Sequence, residues 1–102
     1  MIMRIWHGTT PAIKADEYVR YIRGTGVPLY RSYDGNCGVY LLRRIQEDRA
    51  EFMLLSLWEG YEAIRKFAGP DIEKTVYCFD RDKEFLIEME PKVVHYEVLE
   101  GP

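Results

Sequence analysis

The longest apolar run in the chain, Phe52-Met53-Leu54-Leu55-Ser56-Leu57-Trp58, is interrupted only by a serine, and Val39-Tyr40-Leu41-Leu42 is a second such run. A sheet with one wet face alternates apolar and polar residues. These runs do not alternate, so they predict strands that want burial on both faces. A further strand is predicted over Ile2 to His7. On it Met3, Ile5 and His7 share one face, and Arg4 and Trp6 the other. Gly8-Thr9-Thr10-Pro11 reads as the stop, with Thr10 capping a helix that Pro11 opens. From Ala12 that helix carries Ile13, Tyr18, Val19 and Ile22 at spacings of threes and fours, and Gly24-Thr25-Gly26 ends it. A short helical turn, opened by Pro28, is expected within Val27 to Tyr33.

Asp34-Gly35-Asn36 marks a turn before a strand over Cys37 to Ile45. Gln46 to Arg49 has hairpin polarity, and Ala50 to Trp58 forms the next strand. Ala63, Ile64 and Phe67 predict a helix from Tyr61 to Phe67, which Gly69-Pro70 breaks. Ile72, Val76 and Phe79 suggest that helix resumes over Asp71 to Phe79. Asp80 to Lys83 reads as a solvated connection, Phe85 to Glu90 as extended or irregular, and Val93 to Leu99 as a last strand. The order β-α-β-β-α-β is the split βαβ arrangement of ferredoxin-like folds, an α+β class with an antiparallel sheet. Its helices cover one sheet face only. The economical cover for the other is a second copy packed sheet against sheet, as an isologous homodimer.

Composition sharpens this picture. With 102 residues, 47% apolar and 30% charged, the chain reads as one globular domain spanning residues 1–102. Fourteen aromatic residues in a hundred are more ring surface than so small a core readily hides. A net charge of −3 argues against a general nucleic-acid binder, whose affinity comes from neutralising phosphates. No run approaches the ~20 apolar residues of a membrane span, and the first residues lack a signal-peptide pattern. Cys37 and Cys78 form no CxxC pair and read as reduced thiols, so the expected location is cytoplasmic.

The strand ending in Leu55-Ser56-Leu57-Trp58, the helix Glu62-Ala63-Ile64-Arg65-Lys66-Phe67 and the closing Val94-His95-Tyr96-Glu97-Val98-Leu99 resemble the antibiotic biosynthesis monooxygenase-like family. The resemblance runs from Ile2 to Leu99. It implies a dimeric α+β barrel in which each subunit holds a pocket between its sheet and its helices. It implies oxygenation of phenolic, quinol or polyketide-like aromatic molecules without a cofactor or, in one branch, oxidative haem degradation. That branch uses an Asn, a Trp and a haem-ligating His where this chain has His7, Phe67 and Tyr77. The aromatic-polyketide branch is matched at Trp58, but Leu54 and Leu55 stand where it has a polar residue.

His7 is the first candidate for chemistry. Facing the helices, its imidazole would take a proton from a phenol or enol, leaving an electron-rich anion that reacts with oxygen. Otherwise it is a strand-end histidine bonded to a neighbour. Trp58, Phe67, Tyr77 and Tyr18 are the candidate walls of a pocket for a small aromatic or hydrophobic ligand. The same rings, with Tyr21, Tyr30, Tyr33 and Phe79, also suit a core or a dimer contact. His95, with Glu97 on its face, would approach His7 across neighbouring first and last strands. A metal on these three is chemically sensible but not signalled by the spacing, and no metal is expected. Arg20, Arg23 and Arg31 near Gly24-Thr25-Gly26 suit a carboxylate or phosphate, or else a solvated helix end. A binding or structural barrel without catalysis is the alternative to an oxygenase, and a haem protein is the third reading.

Overall fold

The computed structural model describes residues 1–75 and 81–102. A 10-residue strand β1 (Ile2–Pro11) is followed by a 3-10 turn at Ala12–Lys14 and then by α1 (Ala15–Gly24) and α2 (Gly26–Ser32). Next come the hairpin strands β2 (Asn36–Gln46) and β3 (Arg49–Trp58), and α3 (Tyr61–Ala68). A one-turn helix α4 (Asp82–Phe85), a two-residue strand β4 (Glu88–Met89) and β5 (Val94–Glu97) complete the chain. The strands form one sheet in the order β2-β3-β1, with β4 and β5 both pairing the free edge of β1. Every pairing is antiparallel. Each helical crossover therefore skips one strand, which gives the ferredoxin-like α+β architecture.

The register explains why both faces are apolar. Ile2 lies opposite Trp58 and Trp6 opposite Leu54, and this set, with Arg4, Phe52 and Ser56, is buried under the helices. Tyr18 and Ile22 of α1, Val27 and Tyr30 of α2, and Ile64 and Phe67 of α3 pack against it. The alternate set, Met3, Ile5, Met53, Leu55 and Leu57, faces away from the described helices and is only half-buried. Beside it stand Tyr40, Leu42, Val94 and Tyr96, all exposed. Two glycines permit close packing: a Cβ on Gly35, at φ 88°, would stand 2.5 Å from the Ala63 Cβ, and one on Gly8 would strike the Trp6 ring.

Three local expectations are corrected. Gly8 to Pro11 does not end β1; these residues pair with Arg49 to Phe52, so the long hairpin partner extends the strand through its turn-type residues. Thr10 is thus a buried strand residue that caps no helix, and its hydroxyl donates to the Pro11 carbonyl. Asp71 to Thr75 is not helical, because its backbone is committed elsewhere. Arg4 donates to the Ile72 and Lys74 carbonyls, Val93 N–H to Glu73 at 2.7 Å, and Thr75 N–H to Pro91 at 3.2 Å. The rest of that expected helix, with Tyr77, Cys78 and Phe79, lies outside the described residues. Asp82 and Lys83, expected in a solvated link, begin α4, whose Phe85 is buried. Among the described residues, no helix is long and apolar enough to cross a membrane.

Candidate ligand site

The helix-side rings form two groups. In the first, Trp58 and Phe67 have centroids 5.3 Å apart, and Tyr30 and Tyr33 approach Phe67 at 4.6 and 5.1 Å. The Trp58 indole N–H donates to the Ser56 hydroxyl at 2.8 Å, which satisfies two polar groups in a buried place. In the second, Tyr18 meets Phe52 edge-on at 4.8 Å and Phe85 at 5.5 Å. Tyr21 stacks on Phe85 at 5.2 Å, and the Arg81 guanidinium covers both rings. Burial first, and then the Asp82 carboxylate, pushes the Tyr21 hydroxyl up to about 12.

Arg4 is the charge at the first group. It sits on β1 between Ile2 and Trp6, is 1% exposed, and lies 5.6 Å from the Phe67 ring centre. Besides the Ile72 and Lys74 carbonyls, it meets His95, its register partner on β5, with Nη1 3.1 Å from Nε2. A guanidinium only donates, so Nε2 accepts and the proton of the neutral ring is on Nδ1. Burial, and after it the positive charge of Arg4, lowers the His95 pKa below the usual histidine range. The imidazole is therefore uncharged near neutrality. The Tyr61 ring stands edge-on to it at 6.2 Å. His95 and Tyr61 open onto a cleft of about 450 Å³, lined also by Ile72, Glu73, Lys92, Val93 and Val94. It combines an apolar wall, a neutral base and a fixed positive charge behind that base.

The sequence candidates separate across the sheet. Trp58 and Phe67 come together with Arg4 and His95. Tyr18 belongs to the second aromatic group. Tyr77 lies outside the described residues. His7 is the correction: it pairs with Met53 on the face away from the helices, so it is not in a pocket between sheet and helices. Its Nδ1 is 3.7 Å from a Glu90 carboxylate oxygen. His7 and His95 do not converge either, since His95 shares the face of Arg4. No three metal-ligating side chains cluster among the described residues.

Arg4, Tyr61 and Ser56 were missed as parts of the site. One signal for Arg4 was present: a lone charge on the strand face shared by Ile2 and Trp6 must be buried with partners. Nothing local marks Tyr61, whose neighbour His95 is 34 positions away.

No protein-family model matches the chain, and no curated protein does. Solved structures do. A protein from Deinococcus radiodurans, provisionally described as an antibiotic biosynthesis monooxygenase, superposes with a TM-score of 0.72 at 14% identity, covering 100% of this chain and 96% of its own. A protein of the same description from Bacillus cereus gives 0.69 at 15%, covering 99% and 95%. The haem degrader MhuD of Mycobacterium tuberculosis, solved with two haems in its active site, gives 0.68 at 19%, covering 100% and 99%. The chain thus has the antibiotic biosynthesis monooxygenase-like fold. At such identities the likeness is one of architecture, and chemistry has to be argued from the site.

Proposed function

We propose that the protein is a homodimeric oxygenase of the cofactor-independent kind, acting on a phenolic, quinol or polyketide-like aromatic molecule. The observation that carries this reading is the neutral His95 held against the buried Arg4 guanidinium, beside a cleft walled by Tyr61, Ile72 and Val93 with Glu73 and Lys92 at its polar side. A substrate hydroxyl or acidic C–H that takes the place of Arg4 at Nε2 gives its proton to His95. The anion formed then lies between two cations, which offsets the low basicity of the ring. The electron-rich anion reduces dioxygen and combines with it at carbon. From a CH2 group next to aromatic rings, loss of water leaves a carbonyl, with one oxygen atom in the product and the other in water. Phe67 and Tyr61 supply ring surface for a flat substrate.

Haem fits this site poorly. The Trp58, Phe67 and Tyr30 rings pack directly on one another and leave no slot between them for a flat macrocycle. The dimer is supported by the apolar sheet face of Met3, Ile5, Met53, Leu55 and Leu57, which no element covers among the described residues.

Oxygen uptake with anthrone- and quinol-type substrates tests the reading. His95→Ala is expected to lower the rate by about 10²-fold or more, the usual contribution of a general base. His7→Ala is expected to retain most of it, and equal rates in wild type and His95→Ala would overturn the assignment. A hemin titration with no Soret shift is expected alongside.

A further inference from the structure

Between α1 and the edge strand β2 lies a second cleft of about 410 Å³, lined by Asp16, Val19, Arg20, Arg23, Leu41 and Arg43. It belongs to neither the cleft at His95 nor the uncovered sheet face. The register sets Leu41 opposite Leu54 and Arg43 opposite Phe52, so both rise from the helix side of the sheet beside α1. Arg20 and Arg23 stand one turn apart on the same helix.

Its electrostatics run against the whole chain. The protein carries a net charge of −3, yet three arginines and a single carboxylate line this cleft. That carboxylate, Asp16, is held by Arg43 at 2.6 Å, and the pair fixes Arg43 at the cleft wall. Arg20 and Arg23 make no ion pair among the described residues. Two guanidinium groups are thus left to present donors to an oxyanion, in the forked geometry that suits carboxylate and phosphate. Val19 and Leu41 add an apolar strip beside them, which bare phosphate would leave unused.

We propose that this cleft binds a small organic oxyanion, a carboxylate or phosphate with a short apolar arm, through Arg20 and Arg23 over Val19 and Leu41. The pair Asp16–Arg43 forms its fixed wall. The site is independent of the oxygenase reading, since no residue is common to the two clefts.

Isothermal titration calorimetry of the full chain with hexyl phosphate, hexanoate and inorganic phosphate, at constant ionic strength, tests it. Saturable binding of hexyl phosphate or hexanoate is expected, at least about tenfold tighter than phosphate alone. The Arg20→Ala/Arg23→Ala variant should lose at least about tenfold, the size of one charge-assisted hydrogen bond. Arg23→Lys should keep part of the affinity. Asp16→Asn should bind at least as tightly as wild type, because a competing carboxylate is neutralised. Circular dichroism of each variant confirms the fold, and both arginines are exposed helix residues. Heats that stay linear for both organic probes would overturn the proposal, as would wild-type affinity in the double variant. Phosphate binding as tightly as hexyl phosphate would remove the role of Val19 and Leu41. The ratio of the two organic probes distinguishes a carboxylate source from a phosphate one.

Discussion

Leu54 and Leu55 are adjacent, identical in chemistry and both in the middle of β3, yet they lead different lives. Leu54 is 3% exposed, closed in beneath the helices with Phe52 and Trp58. Leu55 turns to a face where Tyr40 is 57% and Tyr96 60% exposed. One face of the sheet is a closed core, with rings in contact and the Trp58 indole bonded to Ser56. The other has core composition without a cover among the described residues. An apolar surface of that kind marks an interaction site more often than a fault. The contrast teaches that hydrophobicity along these strands does not all record burial within the chain: half of it stands on a face left open.

The sharpest way to break the comparison is to remove side chains from each face in turn. Trp58→Ala should cost about 3–5 kcal/mol in urea unfolding, through lost burial and the cavity left beside Phe67 and Tyr30. A cost below about 1 kcal/mol would mean that the helix-side core is not closed. Leu54→Ala should cost about 2–5 kcal/mol at every protein concentration. Leu55→Ala should cost less in dilute solution and more as concentration rises, because the proposed dimer would bury it against a second copy. Leu55→Asp should shift the mass seen by light scattering from two chains to one. A wild type already at one chain mass would sink the dimer.

Smaller effects test the polar parts of the core. Ser56→Ala strands the Trp58 indole N–H without its acceptor and should cost about 1–3 kcal/mol. Phe67 and Tyr30 contacts should survive, leaving near-ultraviolet circular dichroism largely intact. The smallest effect is the pH response of His95. Its folded pKa is lowered from the ordinary 6.5 by burial and by Arg4, so below 6.5 the native state binds fewer protons than the unfolded chain. Stability from this group is therefore complete above 6.5 and falls as pH drops through the folded value. His95→Gln should flatten that slope, and the acidic limb of activity should likewise lie below 6.5. An acidic limb above 6.5 would point to another base.

Much of this was legible in local pattern. The strands at 36–46 and 49–58, the turn at Glu47 and Asp48, and α3 fall within a residue or two of the bounds expected from hydrophobic runs and breakers. The misses came where long-range partners overruled local chemistry. Thr9 and Thr10 look like a helix start but are claimed by β3. Ile72 and Lys74 look helical but give their carbonyls to Arg4, about 70 positions away.

The candidate site shows the same division. Strand parity correctly set Met3, Ile5 and His7 apart from Arg4 and Trp6. Parity alone does not say which set meets the helices, because both sets carry apolar residues. That choice is made by the path of the crossovers, which bring α1, α2 and α3 onto one side of the sheet. It sends His7 to the uncovered face and brings Arg4, Trp58 and Phe67 together beneath the helices. The sequence by itself determined the elements, their order and the two-sided apolar demand of the sheet, all of which follow from periodicity over a few residues. Only the tertiary structure decided which histidine stands beside a buried cation, because that pairing joins the first strand to the last across 91 positions of chain.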